Sequence, residues 1–128
     1  MVASGGELSR LMLSIKAVLA EKTAMPSLIM DEIDTGVSGE VGIQMGKMFK
    51  KMSRNHQVIC ITHLPQIAAA GDAHYHVYKD HAGTRSLSKI KALSPSERVN
   101  ELAQMIGGHG ADSQLKESVK QLFQRYAE

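Results

Sequence analysis

Two short apolar runs in this sequence each end in ionisable residues, and that arrangement restricts the fold more than any other feature. Ser27-Leu28-Ile29-Met30 runs into Asp31-Glu32, and Val58-Ile59-Cys60-Ile61 runs into Thr62-His63. Continuous apolar runs of this length, without helical spacing, read as strands buried in a parallel sheet. The segment between them supplies a crossover. A Gly-containing loop from Asp34 to Gly39 leads into a helical pattern that points Val41, Met45, Met48 and Met52 inward. Ligands of parallel sheets bind outside the carboxyl ends of the strands, so Asp31, Glu32 and His63 stand where chemistry is expected.

The rest of the chain fills in layers around those strands. After Ser4, a first helix carries Leu8, Leu11, Met12, Ile15 and Leu19 on one face at helical spacing. A short Ala-rich segment follows His63. His74 to Lys79 then reads as a strand, Asp80-His81-Ala82-Gly83 as a turn, and Arg85 to Leu93 as an antiparallel edge strand. Ser94-Pro95-Ser96-Glu97 combines an N-cap, a proline at the first helical position and a glutamate at the third. The helix it opens turns Val99, Leu102, Ala103 and Ile106 inward and stops at Gly107-Gly108. A last helix presents Leu115, Val119, Leu122 and Tyr126. The expected class is α/β: a mostly parallel sheet flanked by helices, with an antiparallel edge strand, forming one domain over residues 1–128.

Composition excludes several other classes. The 128 residues suit one compact core, and 43% apolar with 22% charged residues is ordinary for a globular protein. A formal charge of +2 is too small to argue nucleic-acid binding from net charge alone. One cysteine, Cys60, excludes an internal disulfide framework and suits a reducing compartment. The first ten residues are polar and Gly-rich where a secretory signal would be apolar, and no run approaches a membrane span. These features lead to the expectation of a cytoplasmic protein without a membrane partner.

Three motifs carry chemistry. A strand-end Asp31 can hold Mg²⁺ directly or through water, and Glu32 beside it would point the other way along an extended chain, toward an attacking water. Ser4-Gly5-Gly6-Glu7 has the spacing of a capping box, but its two glycines exceed what a cap needs. They bare the N–H groups of the first turn for an anion, with Glu7 turned back on the cap. His63 at the second strand end could donate a hydrogen bond to a phosphate oxygen. Each motif alone also has a plain structural reading, as a solvated acidic turn, an ordinary helix cap or a surface histidine.

Taken in order, the three resemble the signature motif, Walker B and switch histidine of ABC-type ATPases. The glutamate in Ser-Gly-Gly-Glu is more similar to SMC-like members than to transporters. Asp34-Thr35-Gly36-Val37-Ser38-Gly39 sits where those proteins have their D-loop and departs from the usual SMC pattern. Together with Ala3 to Arg10, Thr62-His63-Leu64-Pro65-Gln66 and the tail Glu97 to Gly108, it resembles the RecN family of DNA repair proteins over nearly the whole chain. The resemblance implies the C-terminal half of an ATPase head whose Walker A half lies far N-terminal across a coiled coil. It implies two heads sandwiching ATP and Mg²⁺ as a homodimer, action on DNA in double-strand break repair, and a place in the cytoplasm at the nucleoid. Asp31 would then be the metal ligand, with Glu32 and His63 catalytic. Ser4, Gly5, Gly6, Glu7 and Asp34 would be the nucleotide-contacting residues, the signature residues acting in trans.

A P-loop is missing. Gly46-Lys47-Met48 comes nearest, but Val41 stands where the first glycine belongs and Met48 where a hydroxyl residue belongs. The chain alone is therefore expected neither to hold nor to hydrolyse ATP. Cys60 with His63 suggests a nucleophile pair, yet Cys60 falls inside an apolar run. His74 and His76 make too few ligands for a metal. Lys47, Lys50, Lys51 and Arg54 share a helical face that reads as solvated, or as a DNA-backbone contact. A transport ATPase subunit and a non-catalytic interaction module are the competing readings.

Overall fold

The computed structural model describes residues 5–37, 39–108 and 112–127. Helix α1 covers Gly5–Lys22, strand β1 Ser27–Asp31, helix α2 Gly39–Met52 and strand β2 Gln57–Ile61. A short helix α3, Pro65–Ala68, follows, then strands β3 (Tyr75–Asp80) and β4 (Leu87–Ala92) and helices α4 (Pro95–Gly107) and α5 (Ser113–Gln124). Strands β1 and β2 pair in parallel, Ser27 opposite Gln57 through Asp31 opposite Ile61, as the two apolar runs imply. The register brings the two ionisable ends to the same edge.

The antiparallel element is a separate hairpin. Among the described residues β3 pairs only with β4, Tyr75 opposite Ala92 through Asp80 opposite Leu87, and forms a second two-stranded sheet instead of an edge on the first. One hairpin face meets α4 through ion pairs, His76 Nδ1 to Glu101 at 3.1 Å and Lys91 Nζ to Glu97 at 2.6 Å.

Two apolar clusters hold the fold. The first packs Leu13 and Ala20 of α1, Leu28 and Met30 of β1, Ile33, Val37, Met45, Phe49 and Ile67. The second joins Ile43, Ala69, Ala70, Leu102, Ala103, Val119 and Tyr126. Helix α2 contributes to both, so it ties the strand ends to the C-terminal helices.

Helix inward faces are partly other than the sequence suggests. In α1 the buried residues are Leu13 and Ala20, whereas Leu8, Leu11, Met12, Ile15 and Leu19 are exposed. In α2, Val41 and Met48 are exposed while Ile43, Met45 and Phe49 are buried, and Ile106 of α4 is also exposed. Both α1 and α2 are apolar on more than one side, and periodicity alone does not choose which side meets the rest of the chain. The start of α4 is as expected. Ser94 Oγ accepts from the Glu97 N–H, Pro95 occupies the first turn, and Gly108 closes the helix at φ 81°.

Candidate functional site

The site is built at the carboxyl ends of β1 and β2. Asp31, Glu32, Asp34, Ile61, Thr62 and His63 line an open cleft of about 260 Å³. Strand β1 ends at Asp31, and its partner Ile61 leads directly into Thr62-His63, so parallel pairing alone delivers both groups to one place. Asp31 and Glu32 are exposed on that edge.

The loop that follows is folded back on its own apolar residues. Ile33 and Val37 are buried in the first cluster, the Thr35 hydroxyl donates to the Glu32 carbonyl at 3.1 Å, and the Val37 N–H donates to the Asp34 carbonyl at 3.1 Å. This tight turn places Glu32 at φ 54°, the one left-handed non-glycine residue described. An L-residue bears roughly 1–2 kcal/mol of strain there, and such strain persists where the surroundings over-determine it. The extended geometry expected of Glu32 is therefore not what the chain adopts. Its direction is set by the turn, not by strand alternation.

Asp34 is the buried member of the group, 2% exposed. Its Oδ2 accepts hydrogen bonds from the Thr62 hydroxyl and from the His63 backbone N–H, the latter at 2.9 Å. His63 Nδ1 lies 3.1 Å from the same oxygen. The Leu64 N–H in turn donates to Thr62 Oγ1 at 3.0 Å. With Nδ1 turned to Asp34, Nε2 is the ring atom left for a ligand, and the His63 side chain is 75% exposed. A carboxylate that orients a histidine through one ring nitrogen leaves the other directed by design of the loop.

The other candidates lie elsewhere. Ser4 is outside the described residues; Gly5 and Gly6 open α1, and Glu7 is exposed in its first turn. Cys60 is half-buried on β2, and burial with the charges of Asp34 and Asp31 pushes its thiol up to about 12, which leaves no reactive thiolate. No group of three or more metal-ligating side chains occurs among the described residues. One strand-end carboxylate suits Mg²⁺ shared with phosphates and water, and does not suit a metal caged by protein alone. Lys50 of the basic face pairs with Asp72 at 3.6 Å.

Sequence reasoning missed Arg98 and the part played by Tyr126. The Arg98 guanidinium donates to the carbonyls of Ala68, Ala69 and Gly71 and lies 5.1 Å over the Phe123 ring. It thereby caps α3, the helix that follows His63.

The chain is similar to known proteins over most of its length. No protein-family model matches the chain. It is 43% identical over 124 residues to the DNA repair protein RecN of Bacillus subtilis (strain 168), covering 97% of this chain and 22% of that protein. The chain matches one segment of RecN. RecN of Rickettsia conorii is 45% identical over 95% of this chain and 22% of the relative, and RecN of Mycobacterium leprae is 42% identical over 94% and 20%. The chain thus spans about a fifth of the length of the RecN proteins it matches. A solved structure from work on ATP-driven dimerization and DNA-stimulated activation of SMC ATPases aligns with TM-score 0.66 at 22% identity, covering 84% of this chain and 65% of that one. At that identity the likeness shows a shared fold and nothing further.

Proposed function

We propose that this chain is the C-terminal ATPase subdomain of a RecN-like DNA repair protein. The observation that carries the reading is the gathering of Asp31, Glu32 and His63 in one cleft at the ends of two parallel strands, in a segment similar to RecN. Asp31 would hold Mg²⁺ together with nucleotide phosphates, and the ion would neutralise charge developing on the transferred phosphoryl group. Glu32 orients or deprotonates the attacking water, and His63 donates to the terminal phosphate from Nε2. Asp34 orients that histidine from behind and acts on the nucleotide through it. Ser4, Gly5, Gly6 and Glu7 complete the site of a second head in trans.

The chain works with a partner that supplies the P-loop, the N-terminal Walker A half of the same protein. Unpartnered apolar faces support this. Ile29, Ile59 and Ile61 share one face of the β1–β2 pair and are 61%, 45% and 55% exposed. Leu8, Leu11, Met12, Ile15, Val18 and Leu19 of α1, and Tyr75, Val77 and Ile90 on one hairpin face, are exposed as well. Apolar area of this extent belongs in an interface. The full protein dimerises through ATP between its heads and acts on DNA at the nucleoid, in the cytoplasm. Among the described residues no helix is long and apolar enough to cross a membrane.

The test is ATP hydrolysis by the chain alone and after mixing with the P-loop half. Turnover only on mixing, abolished by Glu32→Gln, is the expected result. Silence from the mixture, with the two halves shown to associate, overturns the reading in favour of an interaction module.

A further inference from the structure

The end of the chain reaches the histidine segment from behind. Tyr126, two residues past α5, is 8% exposed, and its hydroxyl donates to the Gln66 carbonyl at 2.6 Å with the Ile43 carbonyl 3.5 Å away. Gln66 is the second residue of α3 and stands three residues after His63. A regular helix would satisfy its carbonyl with the Ala70 N–H, but that N–H donates to Ile67 instead, at 3.0 Å. The phenol supplies the donor that the tightened backbone withholds.

Helix α2 is shaped for this contact. A Cβ on Gly46 would stand 2.2 Å from the Tyr126 hydroxyl oxygen, and one on Gly42 would stand 3.2 Å from Gln66 Cβ. Glycine at both positions lets α3 and the phenol close on α2 together. The segment from Thr62 to Gln66 is therefore anchored at both ends, by the buried Asp34 carboxylate on Thr62 and His63 and by Tyr126 on Gln66. Pro65, buried and with fixed φ, stiffens the link between the anchors.

We propose that Tyr126 is a positioning residue for His63: by holding the Gln66 carbonyl it fixes α3 against α2, and with it the direction in which the histidine faces the cleft. The proposal rests on the ATPase reading for its catalytic consequence, and on geometry alone for the coupling. It makes the Tyr126 phenol an input to the site, because loss of its hydrogen bond to Gln66 releases α3 from α2. A change of about 1 Å in the placement of a reacting group can lower turnover by one to two orders of magnitude, so the expected loss is roughly tenfold.

Tyr126→Phe tests it. In the chain paired with its P-loop half, kcat falls about tenfold while KM for ATP stays within roughly twofold, the signature of lost transition-state alignment. The His63 ring signals in a ¹H–¹⁵N spectrum shift in the same variant. Val119→Ala, which opens the second core cluster without touching α3 carbonyls, lowers thermal stability and leaves the His63 signals in place. Wild-type kcat and unchanged His63 signals in Tyr126→Phe overturn the proposal, as do signals that move equally in Val119→Ala. If Tyr126→Phe does not fold, Gly46→Ala displaces the phenol from the opposite side and must shift His63 likewise; unshifted signals overturn the proposal. A wild-type mixture that hydrolyses no ATP refutes the ATPase reading instead, and the ring signals still decide the coupling, a shift supporting it and its absence overturning it.

Discussion

Asp34 Oδ2 stands 2.9 Å from the His63 backbone nitrogen and 3.1 Å from its Nδ1, so one buried oxygen holds both the main chain and the ring of the same residue. The Thr62 hydroxyl shares that oxygen. Asp34→Ala removes the acceptor that these part-buried donors share at the rim of an open cleft, so a net loss of about 2–3 kcal/mol is expected. Asp34→Asn keeps one acceptor oxygen and should lose about 1 kcal/mol. Urea unfolding of the two variants beside the wild type measures both, and equal losses would show that the carboxylate holds nothing that an amide cannot.

Glu32 gives the opposite sign. Its φ of 54° is a conformation that glycine adopts freely and glutamate does not. Glu32→Gly should stabilise the fold by about 0.5–1 kcal/mol, the relief of strain exceeding the extra entropy of an unfolded glycine. Glu32→Gln keeps the strain and leaves stability unchanged. Both variants end ATP turnover in the paired protein. A thermal melt in which glycine is the less stable of the two would mean that the Glu32 side chain makes a contact worth more than its backbone strain.

How much of this was legible in the sequence follows from the range of the interactions. The strands, the parallel pair and the shared edge of Asp31, Glu32 and His63 come from local apolar runs and one topological rule, and they are as the sequence suggests. The cap at Ser94 is equally local. The stripe of Leu8, Leu11 and Leu19 lies on one face of α1 as its spacing suggests, but it is Leu13 that meets the core, and nothing in a single sequence says which stripe meets which neighbour. The antiparallel return of Arg85 to Leu93 follows from the turn at Asp80 to Gly83, whereas the separation of that hairpin from the parallel sheet depends on long-range contacts that no local pattern specifies. The resemblance makes Asp34 a nucleotide contact and says nothing of its burial. Its burial arises from Ile33 and Val37 closing the loop, two apolar residues in a Gly-containing turn that were the available signal. The link from Tyr126 to Gln66 joins residues 60 apart and leaves only Gly42 and Gly46, spaced one turn apart in α2, as its trace.

Cys60 is expected to resist alkylation. Its thiol, pushed up to about 12, is almost wholly protonated at pH 8, and the thiolate is the reacting species. Iodoacetamide should label the native chain far more slowly than the urea-unfolded chain, where the thiol returns to its ordinary range. Rapid native labelling at pH 8 would reopen the Cys60–His63 pair as chemistry.

His74 should make the fold sensitive to mild acid. It precedes β3, its carbonyl accepts from the Leu93 N–H at 2.9 Å, and its Nδ1 is buried without a hydrogen-bond partner. Burial first, and then the charge of Arg98, hold its pKa below the ordinary 6.5; Glu101 opposes the shift and His76 adds to it. The sign follows from linkage: the unfolded chain takes up the proton more readily than the folded one. Stability is full above pH 6.5 and declines as the pH falls from there through the lower folded value. Glu40, Asp80 and Glu97 have lowered pKa values, so their contributions are lost only at more acid pH and do not contaminate this window. Urea midpoints at pH 7.5 and 5.5 should therefore differ in the wild type, and the difference should shrink in His74→Gln. A variant that keeps the full wild-type difference would assign the acid sensitivity to another of the six histidines.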